Sequence, residues 1–244
     1  MLIVNKKTMS WGLLLGVSFM AILVLIFSPV WGQGRNGLNF SDRLFNSLAK
    51  GSAYFIPEVT ENLKKFEEQK SEKQQLVVSV KMKSPEEAAA ALKVLSKSAP
   101  NTTAQSAVLK VETPLAPFLG AALRDADLMY LNKGAEVSQK YGMDEKKAML
   151  GWYDALKGAS KALQRAGHKE IVQSKMIEEV MTRAIEPAYN FYKIPAERVG
   201  PKALLLTGLL IFYIVYTLWW GFAIYFLCDG LGLSMTKAKA KKEV

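Results

Sequence analysis

The sequence predicts an α+β membrane protein in which two apolar helices, one near each terminus, flank a mainly α-helical extracytoplasmic domain with a small βαβ element. Three observations predict it. Segments 11–31 and 203–228 contain no charged residue. Between them, apolar residues recur mostly at the three-to-four spacing of an amphipathic helix. Only 75–83 and 106–112 alternate with the period of a strand.

The chain of 244 residues carries a formal net charge of +10. Its expected divisions are an N-terminal tail (1–10), a first span (11–31), a domain (32–202), a second span (203–228) and a basic C-terminal tail (229–244). The domain is long enough for one sizeable core. It contains 26 basic and 20 acidic residues, an excess that suits anionic lipid headgroups or a solvated surface. No stretch interleaves dense basic residues with aromatics, which argues against nucleic acid as a partner. The one cysteine, Cys228, lies within the second span, so the domain has neither a disulfide nor a thiolate metal site.

The first span follows Lys6 and Lys7 and is longer than the ~7–15 apolar residues of a signal peptide. It ends in Ser28-Pro29-Val30-Trp31 instead of small cleavage-site residues, and is expected to be an uncleaved anchor. Trp11 and Trp31 stand at its ends, where amphipathic aromatics favour membrane interfaces. Gly12 and Gly16 form a GxxxG spacing, which permits close helix packing and is also ordinary in membrane helices.

The second span, at about 1.5 Å per residue, measures roughly 39 Å, more than the ~30 Å of bilayer hydrocarbon. Trp219 and Trp220 lie about 24 Å along it. Either they mark the inner interface and 221–228 is an interfacial extension, or they face a partner helix. Asp229 follows the run as a helix end. The basic tails, with Lys237, Lys239, Lys241 and Lys242 in the second, predict both termini in the cytoplasm. The middle domain then faces the periplasm, the exterior or a lumen, and a bacterial inner membrane is the favoured location.

Segment 32–39 (GQGRNGLN) reads as a flexible link. Residues 41–49 read as a short helix with Leu44, Phe45 and Leu48 on one face, and Tyr54-Phe55-Ile56 as an apolar cluster near the membrane. Residues 58–70 form a charged helix with Val59, Leu63 and Phe66 as its stripe. In the βαβ element (75–112), Val78, Val80 and Met82 face one way. Ser84, Pro85 and Glu87 open a helix to about Lys97, and Ala107, Leu109 and Val111 share a face of the second strand. The interval is long enough for a parallel, right-handed crossover.

Residues 113–186 are read as helices. Thr113-Pro114 is a cap followed by proline, and Leu115, Phe118, Leu119, Ala122, Ala126 and Met129 form the first stripe. Asp144 starts a helix carrying Met149, Trp152, Tyr153, Leu156, Ala159 and Leu163, which stops at Gly167. Apolar pairs from Ile171/Val172 to Ala184/Ile185 continue the core until Pro187 ends or kinks the helix. The collar, 187–202, mixes aromatics and prolines with Lys193, Arg198 and Lys202. Arg198 and Lys202 are its headgroup-level candidates.

Catalytic chemistry finds little purchase. The one histidine, His168, sits at a helix boundary, where capping or solvation is the ordinary role, and a metal site needs several converging ligands. Asp125 and Asp127 are two apart and point in different directions on a helix, while Glu178 and Glu179 read as a solvated face. Asn101-Thr102-Thr103 matches a glycosylation pattern but reads as a turn after Pro100. No phosphate loop, nucleophile elbow or HExxH occurs. The expectation is therefore a non-enzyme with no cofactor and no metal. It is read as a membrane-anchored structural or accessory subunit whose domain scaffolds a partner or self-assembles, with lipids and a protein partner or a second copy as its contacts. The alternative is an extracytoplasmic sensor that signals through a partner. In layout alone the chain also resembles polysaccharide chain-length regulators, which place an α/β and helical domain between terminal spans. That resemblance implies an assembly role and assigns no residue.

Overall fold

The computed structural model describes residues 3–69, 74–167 and 171–233. His168 and the tail lysines lie outside these residues. The described chain is mostly helical with one small sheet. It divides into two compact units, one formed by Met1–Phe45 with Arg198–Val244 and the other by Asn46–Glu197.

The first unit is built on α1 (Lys6–Phe27) and α10 (Ala203–Gly230), both long and apolar enough to cross a membrane. Asn5 caps α1 by accepting from the Lys7 and Thr8 amides. The helices run antiparallel: Gly12 lies against Leu227, Phe19 stacks on Tyr216 and Trp220, and Met9 meets Gly230. On α10 the more buried positions Leu209, Tyr216, Ala223 and Gly230 recur every seven residues, the spacing of a coiled-coil seam. The Gly230 carbonyl accepts from the Val4 and Asn5 amides at 2.9 and 3.2 Å, which ties the start of the chain to the end of α10. Segment 32–39 is more ordered than a flexible link. Trp31 and Arg35 bond across a turn (Trp31 N–H to the Arg35 carbonyl, 3.0 Å), Gly32, Gln33 and Gly34 supply positive φ, and α2 (Gly37–Ser52) has already begun at Gly37.

The second unit contains the end of α2, α3 (Ile56–Glu68), α4 (Pro85–Leu95), α5 (Leu115–Tyr130), α6 (Gly134–Tyr141), α7 (Glu145–Ala166), α8 (Ile171–Val180) and α9 (Glu186–Asn190). Its three strands are β1 (Gln75–Lys81), β2 (Thr103–Gln105) and β3 (Val108–Pro114), in the order β1-β3-β2. This corrects the expected parallel pairing. β3 runs antiparallel to β1, with Val78 opposite Val111 and Val80 opposite Leu109. The strand parallel to β1 is the three-residue β2, and β3 folds back between them through a turn in which Ser106 takes φ of 53°. The crossover through α4 therefore exists, but it skips one strand. Leu76, Val78 and Val80 on β1 and Leu109, Val111 and Thr113 on β3 turn one sheet face into the core.

Ser84 caps α4 by accepting from the Glu87 amide at 3.2 Å, with Pro85 in the first turn, and Glu87 accepts from the Lys83 amide at 3.3 Å. Thr113 is not a cap. It pairs with Leu76 inside the sheet, its side chain is buried, and α5 begins after Pro114 without a side-chain cap. The core centres on α5 and α7, where Phe118 meets Trp152 edge-on at 5.1 Å and both are almost fully buried. Pro187 does not end the last helix of the unit. Met181–Ile185 forms a π-turn in which the Glu186 amide reaches the Met181 carbonyl, and α9 continues through Pro187. A proline ring crowds the carbonyl four residues earlier, here that of Arg183, and one widened turn relieves that conflict without breaking the helix.

Candidate functional site

The candidates for chemistry in the domain are buried polar side chains and one groove. Asp125 is 1% exposed on the inner face of α5. Its carboxylate accepts from Lys140 Nζ at 2.7 Å, from Trp152 Nε1 at 2.9 Å and from the Tyr141 hydroxyl. Burial and the adjacent Asp125 carboxylate raise the Tyr141 hydroxyl well above its usual value, so it stays a donor. Three donors from two other helices satisfy one buried charge, which makes Asp125 the hub that joins α5, α6 and α7. Asp127, two residues on, points elsewhere and accepts from the Tyr54 hydroxyl at 2.7 Å.

Lys50, at the end of α2, is 2% exposed. Its ammonium donates to Asn132 Oδ1 at 2.9 Å and to the Phe191 and Ile194 carbonyls at 3.0 and 2.8 Å, and it lies 5.2 Å from the Tyr130 ring centroid. These three acceptors are all neutral, and burial holds the ammonium below its usual pKa. Asn132 is available because, just past the end of α5, it takes φ of 62°, a left-handed conformation that asparagine tolerates.

Glu178 and Glu179 correct the expectation of a solvated face, for both are half-buried. Glu178 accepts from Ser160 at 2.9 Å and from Gln164, between α7 and α8. Glu179 accepts from Asn62 at 2.7 Å and from Arg183 at 3.2 Å. Arg183 also grips Glu58 with two nitrogens, at 3.0 and 2.6 Å, above the Phe55 ring. The Tyr54-Phe55-Ile56 cluster is thus spent on Asp127, Arg183 and the core.

The groove, about 400 Å³, runs between α7 and the π-turn with α9. Met149 and Ile185 are buried residues in its lining, Tyr153 and Tyr189 are half-buried, and Glu186 and Asn190 add polar groups. Lys146 sits 4.9 Å from the Tyr189 ring and Lys157 5.0 Å from that of Tyr153. Its size suits a small ligand, and its polar groups are few. Among the described residues, no cluster of three or more His, Cys, Asp or Glu side chains is placed to hold a metal ion.

The packing candidates separate. A Cβ at Gly12 would stand 2.7 Å from the Leu227 amide nitrogen, whereas one at Gly16 would meet nothing within 4 Å. Trp220 stacks on Phe19 at 4.5 Å, and the Trp219 indole nitrogen is buried without a hydrogen-bond partner. Residues 221–228 continue α10 without a break. Of the interface candidates, Trp11 and Arg198 are exposed, Lys202 is half-buried, and Trp31 donates to the Leu25 carbonyl at 3.0 Å. Sequence reasoning did not consider Lys50 and weighed Asp125 only as half of a carboxylate pair with Asp127. The signal for Lys50 was present, since it follows Ser47 and Leu48 on the inward side of α2, but a lysine there reads as solvated. No family model, curated protein or solved structure matches the chain.

Proposed function

We propose that the chain is a non-catalytic accessory subunit anchored in a membrane by α1 and α10, with the domain between them presented outside the cytoplasm to scaffold a partner or a second copy. The observation that carries this reading is the apolar surface of the helix pair away from its seam. Val17, Val24, Tyr213 and Leu204 are 69%, 65%, 65% and 87% exposed. Helices this apolar all round belong in lipid. The lysines at 6 and 7 and in the C-terminal tail support a reading with both termini in the cytoplasm, in a bacterial inner membrane by preference. The most buried charged groups of the domain, Asp125 and Lys50, are bonded between helices, which suits a scaffold.

Tagged full-length protein purified in mild detergent tests the reading. It is expected to resist alkaline carbonate extraction and to bring down a partner or run as an oligomer; a clean monomer overturns the scaffold. A membrane-impermeant thiol reagent is expected to reach Cys228 only from the cytoplasmic side, and labelling from outside intact cells overturns the topology. The groove beside the π-turn supports a second reading, an extracytoplasmic ligand-binding module. Small amphiphiles that raise the thermal midpoint of the protein, and lose that effect in Tyr153→Ala, would favour it.

A further inference from the structure

The segment by which the chain comes into the domain and the one by which it leaves lie side by side, and Lys50 is where they are fastened. The incoming segment is the end of α2. The outgoing one is 191–197, beyond α9. Four contacts join them. Lys50 Nζ donates to the Phe191 and Ile194 carbonyls at 3.0 and 2.8 Å. The Glu197 amide donates to the Ser47 carbonyl at 3.0 Å. Gly51 faces the Glu197 backbone so closely that a Cβ there would fall 1.9 Å from the Glu197 carbonyl oxygen. Asn132 at the end of α5 completes the arrangement. Its Oδ1 accepts from Lys50 at 2.9 Å and from the Lys193 amide at 2.8 Å, and its Nδ2 donates to the Ile194 carbonyl at 3.2 Å. The Tyr130 hydroxyl donates to the Lys50 carbonyl, and Tyr54 packs on the Tyr130 ring at 5.1 Å.

Burying an ammonium among neutral acceptors is a poor way to gain stability. An apolar side chain of the same length would avoid the desolvation cost. What the ammonium provides is direction: its three protons need three acceptors at fixed positions, and here those acceptors come from α5 and the outgoing segment. Only one arrangement of incoming segment, α5 and outgoing segment satisfies them all.

We propose that Lys50 is a conformational clasp, holding the incoming and outgoing segments of the domain together as one closed point that opens locally, without unfolding the core. When it opens, 191–197 is freed while the sheet and α5 remain packed.

Three amides report its state: Lys193, Ile194 and Glu197, bonded to Asn132 Oδ1, the Phe191 carbonyl and the Ser47 carbonyl. Hydrogen exchange is measured on full-length protein in detergent, for wild type, Lys50→Met and Gly51→Ala. Lys50→Met keeps the stem and removes the charge; Gly51→Ala keeps Lys50 and forces the two backbones apart. Both variants are expected to speed exchange at these amides at least about tenfold while amides of β1, β3 and α5 keep wild-type protection. A cysteine pair replacing Ser47 and Glu197, oxidised to a disulfide in a Lys50→Met, Cys228→Ser background, is expected to restore protection at Lys193. Unchanged exchange at the three amides in Lys50→Met overturns the proposal. So does an equal loss of protection across the sheet and α5, which makes Lys50 a residue of the global fold, and so does a disulfide that fails to rescue.

Discussion

Asp125→Ala is the sharpest test of how the domain is held together. The substitution removes the acceptor for Trp152 Nε1 and for the Tyr141 hydroxyl, and the counter-charge for Lys140. Trp152 is fully buried and Tyr141 is 2% exposed, so neither donor can turn to water. A buried donor left unpaired costs about 1–3 kcal/mol, so two cost about 2–6 kcal/mol. Lys140, whose side chain is 37% exposed, regains water and adds little. Against this stands the relief of no longer burying a carboxylate, so the expected net loss falls in the lower half of that range, about 2–4 kcal/mol, a large part of a typical domain's ~5–15 kcal/mol. Urea unfolding of the full chain in detergent, followed by circular dichroism, measures it. Asp125→Asn retains an acceptor but turns an amide N–H₂ toward donors, and is expected to fall between the two. A loss below about 1 kcal/mol for Asp125→Ala would refute the reasoning, because it would mean that the indole and hydroxyl are not held by this carboxylate.

The remaining expectations concern pH and the helix pair. Burial, and after it the Asp127 contact, raise the Tyr54 hydroxyl to about 12, from its ordinary 10.0. A raised value means that its contribution is complete below about pH 10 and is lost as pH rises through about 12, because the folded state keeps a proton that the unfolded state has released. The stability of wild type relative to Tyr54→Phe is therefore expected to shrink over that interval in parallel urea titrations, and a constant difference refutes it. Lys50 carries the opposite sign: its lowered value makes folding more favourable as pH climbs toward 10.5, since the unfolded chain then holds the extra proton. For the helix pair, Gly12→Leu must displace the Leu227 backbone while Gly16→Leu meets open space. A cysteine pair at 19 and 220, where the native rings stack at 4.5 Å, in a Cys228→Ser background is expected to be bridged readily by a short thiol cross-linker in wild type and Gly16→Leu, and poorly in Gly12→Leu. Equal cross-linking in both variants refutes the close crossing at Gly12.

The helices of the domain were legible because periodicity reports one buried face. Phe118, Leu119, Ala122, Ala126 and Met129 lie at helical spacing, and all five are buried. Strand existence was legible for the same reason, with Leu109 and Val111 alternating against exposed neighbours. Pairing was not. A strand's side-chain pattern is the same whichever way its neighbour runs, and β2, which sets the direction, is three residues with no buried position. α6 was not set apart within the helical run 113–186 because Gly134 and a single turn of apolar spacing, Val137 and Tyr141, make a weak signal. The capping of α4 was readable from Ser84 and Glu87, which act through neighbours in sequence. Lys50 and Asp125 act through residues far away, Lys50 through Asn132, Phe191 and Ile194 and Asp125 through Trp152, and local pattern carries no trace of such partners.

The polar contacts that span the domain differ in what they contribute. Arg183 and Glu58 form a two-pronged ion pair, but the Glu58 side chain is 58% exposed, and water competes for both partners. Such a pair adds little to stability and tolerates rearrangement. Asp125 and Lys50 are costly to bury and costly to leave unsatisfied, so they penalise every packing except the one that supplies their partners. The domain, with no cysteine, uses these two groups where other small domains use cross-links. The analogy holds for geometry and not for strength, because a hydrogen bond adds about 0.5–1.5 kcal/mol net whereas a disulfide adds about 2–4 kcal/mol. The apolar core around Trp152 and Phe118 therefore supplies the stability. The hub at Asp125 selects how α5, α6 and α7 meet, and the clasp at Lys50 selects where the chain comes in and goes out. The proposed scaffold role would draw on the second property, because it fixes the two ends of the domain against each other.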